Sequence, residues 1–214
     1  MIDLIPEIIV VVLGYLIGSI PTAYAVGKRH TGEDITTVGS GNSGTMNSYR
    51  FTGSQKAGVL VLLGDVFRGF AAVWVALALF GPVFYYMASA ALAAVLGHNF
   101  SIWLGFKGGR GLAVGAGALL LTMWPVLAVW GAIWLLGKYL FKQTHLASGF
   151  AILLTPILLV VLPGSILDRL VKPEALPSEV RVFFVILSLL LLLKHVKPIR
   201  QAITRLGESA GSAV

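Results

Sequence analysis

Long apolar runs set the first limit on what this chain can become. They fall at about 4–26, 56–80, 83–98, 111–123, 125–141, 147–164 and 181–194. A helix needs about 20 predominantly apolar residues to cross a bilayer, and seven apolar runs of unequal length in 214 residues leave little for a water-soluble core. Only 12% of the residues are charged, against about 25% in an ordinary soluble domain. The reading is an all-α integral membrane protein with about seven transmembrane helices. The third and fourth runs are short enough to be half-helices or interfacial pieces. Breaks are expected at Gly81-Pro82, at Trp124-Pro125, and in the polar stretch 164–179 that holds Pro173 and Pro177. Residues 1–206 read as one polytopic domain, and the small, polar 207–214 as a disordered tail. The first run has neither a basic stretch before it nor a small-residue cleavage site, so it reads as a span rather than a signal peptide.

Charge orients the chain. With seven spans and the N-terminus outside, the inside loops and tail hold Lys28, Arg29, Arg50, Lys56, Lys107, Arg110, Lys138, Lys142, Lys194, Lys197, Arg200 and Arg205. Only Arg169, Lys172 and Arg181 fall outside, and Arg68 lies within the second span. Twelve cations against three agrees with the positive-inside rule and puts the C-terminus in the cytoplasm. The net charge of +7 is therefore assigned to membrane orientation and not to nucleic-acid binding, since no element interleaves the cations with aromatics. No inverted repeat is visible, which argues against the transporter architecture built on one. The absence of cysteine excludes disulfides, thiolate metal sites and a cysteine nucleophile.

Two polar islands interrupt the apolar background. The first, from Val38 to Arg50, carries Gly39, Ser40, Gly41, Asn42, Ser43 and Gly44, then Asn47. The second runs from Gly97-His98-Asn99-Phe100 to Lys107-Gly108-Gly109-Arg110-Gly111. Closely spaced glycines let backbone N–H groups converge on an anion. Ser40 and Asn42 supply hydrogen bonds, and Arg50 can grip a phosphate with two parallel N–H groups. Lys107 to Gly111 lacks the Gly-Lys-Ser/Thr end of a Walker loop and reads as the other wall of the same anionic pocket. The topology puts both islands on the cytoplasmic side.

A third feature, Gly18-Ser19-Ile20-Pro21-Thr22, interrupts the end of the first span, either as a proline kink or as a helix end opened to expose Ser19. Asp65 and Arg68 are three apart on the second span and share a face. Their expected role is a structural ion pair inside the bundle. His98 fits either a structural histidine or a ligand contact. No carboxylate cluster suits a metal, and no His has an Asp five residues later for a His-x-x-x-x-Asp acyltransferase dyad.

Taken together, Gly18-Ser19-Ile20-Pro21-Thr22-Ala23-Tyr24, Gly39 to Gly44 with Asn47 and Arg50, and Gly97-His98 to Gly111 resemble the PlsY family of bacterial acyl-phosphate:glycerol-3-phosphate acyltransferases. The resemblance runs from about residue 14 to 205, in order and spacing. It implies a multi-pass enzyme of the bacterial cytoplasmic (inner) membrane, active in phospholipid biosynthesis, with its active site facing the cytoplasm. The implied reaction moves a fatty acyl group from acyl phosphate to glycerol 3-phosphate, giving lysophosphatidic acid and phosphate. It uses no metal or cofactor, and depends functionally on the enzyme that produces the acyl phosphate. By motif match, Ser40, Arg50, Lys107 and Arg110 would hold the substrate phosphates. Asn42, Asn47 and His98 would shape the pocket, with Ser19, Gly39, Gly41, Gly44, Gly108, Gly109 and Gly111 alongside. His195 would lie near the glycerol phosphate. The chain departs from the family pattern at Thr36, Thr45-Met46, Arg68, Ser101, Arg110, His145 and Pro198. A transporter of an anionic metabolite and a non-catalytic paralogue are the competing readings.

Overall fold

A computed structural model describes residues 4–211, with side chains through Glu208. Its elements are α1 (Leu4–Ser19), α2 (Thr22–Thr31), α3 (Thr45–Thr52), α4 (Gln55–Phe80), α5 (Phe84–Asn99), α6 (Leu112–Thr122), α7 (Trp124–Phe141), α8 (Thr144–Val161), α9 (Gly164–Leu170) and α10 (Pro177–Gly211), plus a 3₁₀ turn at Ile102–Leu104. Every apolar run is helical. Among the described residues, five helical stretches have the length and hydropathy to cross a membrane: Leu4–Thr31, Gln55–Phe80, Trp124–Phe141, Thr144–Val161 and Pro177–Glu208. α5 has 16 residues and α6 only 11, short of a full span on their own. The first run is not one regular helix: it stops at Ser19 and restarts at Thr22 around Pro21, where proline removes a backbone donor. The last helix continues through Gly211, and residues 212–214 lie outside the described residues.

The chain forms two compact units, 1–124 with 171–175, and 125–170 with 176–214. In the first, α1 packs along α5, and α4 packs on α6 and on both of those helices. Small residues make this approach close. Gly14 and Gly18 of α1, four apart, face Ala90 and Ala94 of α5, and a Cβ at either glycine would run into the α5 backbone. Gly69 of α4 and Gly117 of α6 meet the backbones of Val114 and Val66 in the same way. With no hydrophobic drive between helices in lipid, such small-residue seams supply close van der Waals packing. Large apolar side chains point outward instead: Phe67, Trp74 and Leu79 are more than half exposed, while Ala57, Ala72, Ala76 and Ala90 are buried. That inversion suits a lipid solvent and would be an aggregation hazard in water.

In the second unit, α7 and α8 are linked by Trp134 Nε1–H donated to Ser148 Oγ at 3.2 Å. Phe141 and Phe150 add an edge-on ring contact at 5.6 Å. Arg181 of α10 donates to Leu162 O at 2.8 Å and Leu159 O at 3.3 Å, satisfying carbonyls at the end of α8.

Candidate functional site

The site elements of the first unit are built around the break between α1 and α2. Opening that helix frees the carbonyls of Gly18, Ser19 and Ile20, which accept from Arg68 and Ser101, and side chains of α1 in turn donate to the 97–100 segment. Ser101 Oγ donates to Ser19 O at 2.6 Å, and Ser19 Oγ donates to Gly97 O at 3.4 Å. Tyr15 OH donates to Phe100 O at 2.7 Å. The hydroxyl of Ser101 is what closes this part of the break. Ser19 is fully buried here as part of this staple.

Arg68 closes the same break from α4. Its Nη1 donates to Gly18 O at 2.7 Å and to Ile20 O. Its Nε donates to Gly64 O at 3.3 Å, and its Nη2 pairs with Asp65 and reaches His98 Nδ1 at 3.2 Å. The Asp65–Arg68 pair is buried, consistent with the structural role expected of an ionic pair inside a bundle.

The first polar island is a loop tied from within by Asn47. The Asn47 Oδ1 accepts from Ser40 N at 3.1 Å, and its Nδ2 donates to Val38 O at 3.3 Å and Ile35 O at 3.4 Å. Asn47 is buried, so its part is to fold the loop rather than to reach outward. Gly39 and Gly41 both have positive φ, +60° and +65°, which favours glycine. Asn42 lies against Gly44. Ser40 and Arg50 stand exposed, Arg50 on the outer face of α3.

The second island is shaped by a tight turn. Phe106 N donates to Ser101 O at 2.8 Å and Ser101 N to Lys107 O at 3.2 Å, so Lys107 returns beside Ser101 as a one-residue bridge. The turn leaves Lys107 exposed and Gly109 and Gly111 buried. Gly109 N then donates to His98 O at 3.0 Å, and Gly108 and Gly109 pack so tightly on His98 that a Cβ at either would overlap it. Half-buried Arg110 loses hydration, which pushes its guanidinium below the usual range. Gly111 then opens α6, whose first N–H groups add positive potential at this end.

Two cavities bring parts of these segments together. A cleft of about 440 Å³ is lined by Pro21, Tyr24, Asp34, Thr36, Trp103, Leu104 and Lys107, within the roughly 300–1,000 Å³ usual for small-molecule sites. Asp34 accepts Thr36 N at 2.8 Å, so the acidic group also organises its own turn. A second, much smaller cavity of about 10 Å³ is bordered by Ser19, Thr22, Ser43, Arg68, His98 and Ser101 among others. Of the residues expected at the site, Lys107 lines the first cavity, and Ser19 and His98 the second; Ser40 and Arg50 line neither. Tyr24, Trp103 and Leu104 enter the cleft without having been singled out individually. Trp103 and Leu104 could have been suspected only from their position inside the second island. His195 belongs to the second unit. It is buried in α10 and donates Nδ1–H to Leu191 O at 2.7 Å, which makes Nε2 the lone-pair nitrogen of the neutral ring. His145 occupies the first turn of α8, and Pro198 is buried within α10.

Fold and site together define a class: an integral membrane helix bundle in which segments rich in glycines, hydroxyls and cations border two recesses. The chain belongs to the glycerol-3-phosphate acyltransferase family, whose sequence profile matches residues 8–205. A glycerol-3-phosphate acyltransferase of Endomicrobium trichonymphae is 36% identical over 203 residues, 93% of each chain. One from Synechococcus sp. (strain JA-3-3Ab) is 44% identical over 146 residues, covering 68% of this chain and 70% of the relative. The fold is similar to a crystal structure of PlsY, an integral membrane glycerol 3-phosphate acyltransferase, in its glycerol 3-phosphate form. That match has a TM-score of 0.76 at 29% identity and covers 92% of each chain. The lysophosphatidic acid form of the same enzyme matches with a TM-score of 0.73 at 27% identity.

Proposed function

We propose that the protein transfers a fatty acyl group from acyl phosphate to the 1-hydroxyl of glycerol 3-phosphate, releasing lysophosphatidic acid and inorganic phosphate. Family membership favours acyl transfer over the transport reading. The observation that carries the site assignment is local. Segments of the two polar islands, about sixty residues apart in the chain, line common cavities: Ser43 with His98 and Ser101, and Thr36 just before the first island with Lys107.

Acyl phosphate is already activated, because phosphate leaves readily, so positioning and charge neutralisation are enough. Lys107, Arg110 and loop N–H groups would neutralise phosphate and the oxyanion that develops on the acyl carbonyl. Ser40 and Arg50, exposed on the first island, are assigned to the second phosphate. Holding the acceptor hydroxyl against the carbonyl supplies the orientation component. The hydroxyl proton leaves through a substrate phosphate oxygen. The glycine loops face the cytoplasm, the N-terminus is outside, and seven segments cross or enter the inner membrane.

The deciding experiment uses purified protein, labelled palmitoyl phosphate and glycerol 3-phosphate, with lysophosphatidic acid as the readout. Product is expected from acyl phosphate alone. Product from acyl-CoA but none from palmitoyl phosphate would overturn the donor assignment. Since the chain has no cysteine, single cysteines at Lys142 and Glu174 report sidedness without background. An impermeant thiol reagent added outside should label only the one at 174.

A further inference from the structure

Arg68 is matched to its surroundings donor by donor. A guanidinium has five N–H donors and no acceptor. Here five acceptors meet them: Gly18 O, Ile20 O, Gly64 O, the Asp65 carboxylate and His98 Nδ1. The last of these fixes chemistry. Because Arg68 can only donate, His98 Nδ1 must accept, and the neutral imidazole then carries its proton on Nε2. That Nε2 edge lies against Gly109, where any Cβ would overlap the ring, while Gly109 N–H is donated back to His98 O at 3.0 Å. Both side chains are nearly fully buried, Arg68 5% and His98 5% exposed. They border the same small cavity as Ser19, Ser43 and Ser101.

We propose that Arg68 is a positioning residue for the reaction: it holds His98 as the Nε2–H tautomer, so that the imidazole acts beside the 108–111 loop as a neutral hydrogen-bond donor and not as a base. The ring nitrogen turned toward the glycine loop then has no lone pair to take a proton, whereas the second island gains a fixed donor. A lysine could not replace this arrangement donor for donor. Its three N–H groups leave from one nitrogen and cannot satisfy five acceptors spread over α1, the break after it, α4 and α5.

The kinetic half of the test rests on the acyl-transfer reading; the spectroscopic half does not. Protein labelled with ¹⁵N-histidine gives long-range ¹H–¹⁵N correlations that distinguish the tautomers, with His98 assigned by the signals missing in His98→Gln. The expected wild-type spectrum has Nε2 protonated and Nδ1 unprotonated. Replacing the ion pair by the neutral, similar-shaped Asp65→Asn/Arg68→Gln avoids stranding a buried carboxylate, and should convert His98 to a tautomer mixture. In the acyl phosphate assay this double variant should lose at least tenfold in kcat, and His98→Gln a similar factor. The triple variant should be no worse than His98→Gln, because Arg68 acts through His98. A wild-type His98 protonated on Nδ1, or on both nitrogens, would overturn the proposal, as would a fully additive kinetic loss. Absence of turnover by the wild-type protein would sink the acyl-transfer reading alone, and the spectrum would still decide the tautomer.

Discussion

Replacing Gly14 or Gly18 with alanine tests the seam on which the first unit depends. A Cβ at Gly14 would lie 2.7 Å from Ala90 O, 0.7 Å inside the 3.4 Å at which ordinary contact begins, and 3.2 Å from Ala93 Cβ. The obstacle is backbone, not a side-chain tip that could swing aside, so α1 must move off α5. Overpacking of this kind costs about 1–3 kcal/mol, and in a chain of this size each kcal/mol moves the midpoint by about 2–4 °C. Gly14→Ala should therefore lower the melting temperature of the detergent-solubilised protein by about 2–12 °C. Gly18→Ala should lower it further, since its Cβ would meet the carbonyl, carbon and Cα of Ala94 more closely still. Gly18→Ala should also reduce turnover, because Gly18 O is one of the acceptors that seat Arg68. Gly131 is the control. It sits in α7 with nothing within 4 Å of the place a methyl group would take, and alanine there should be neutral or stabilising by up to about 1 kcal/mol through helix propensity. Thermal unfolding of the three variants, followed by circular dichroism, decides the matter. Wild-type stability for Gly18→Ala, or an equal loss for Gly131→Ala, would refute the packing argument.

Other outcomes follow from the site. Arg50→Ala and Lys107→Ala should each cut kcat/KM by about 10²-fold or more, the scale for removing a charged contact to a reacting anion; near wild-type values from both would refute the phosphate assignment. Asn47→Ala removes one acceptor and two donors from the 35–40 segment. It should destabilise by about 1–3 kcal/mol and speed proteolytic nicking within that loop. Ser101→Ala strands a buried Ser19 carbonyl and should cost about 1 kcal/mol in unfolding measurements, with little change in KM for either substrate. Asp65→Leu leaves Arg68 buried without its counter-ion and should cost about 3–5 kcal/mol, appearing as lost folded yield on size exclusion. Asp65→Leu/Arg68→Met should recover much of that yield while remaining impaired in turnover.

How much was legible in the chain differs from feature to feature. The helices are local: each apolar run is long enough to bury its own backbone hydrogen bonds, and lipid permits few other solutions. The two polar islands were legible for the same reason, since glycines, hydroxyls and cations are costly in an apolar background unless they face something polar. The Gly14–Gly18 spacing is present in the sequence but carries no packing signal by itself, because its meaning depends on Ala90 and Ala94 lying opposite. The break at Pro21 was visible, yet the partners that make it tolerable were not. Arg68, Ser101 and Gly97 come from segments about 50 to 80 residues away and carry no local signal of that use.

The composition of the chain thus determined a membrane helix bundle and pointed to its polar loops, because hydropathy and glycine spacing act within a few residues. Tertiary structure alone decided what the polar groups do. It turned Asn47 inward to fold its own loop, put Asp34, Thr36 and Trp103 around Lys107, and set Arg68 against His98. Those outcomes depend on which distant donors and acceptors meet in a dry interior, where an unmatched buried group costs more than any local preference supplies.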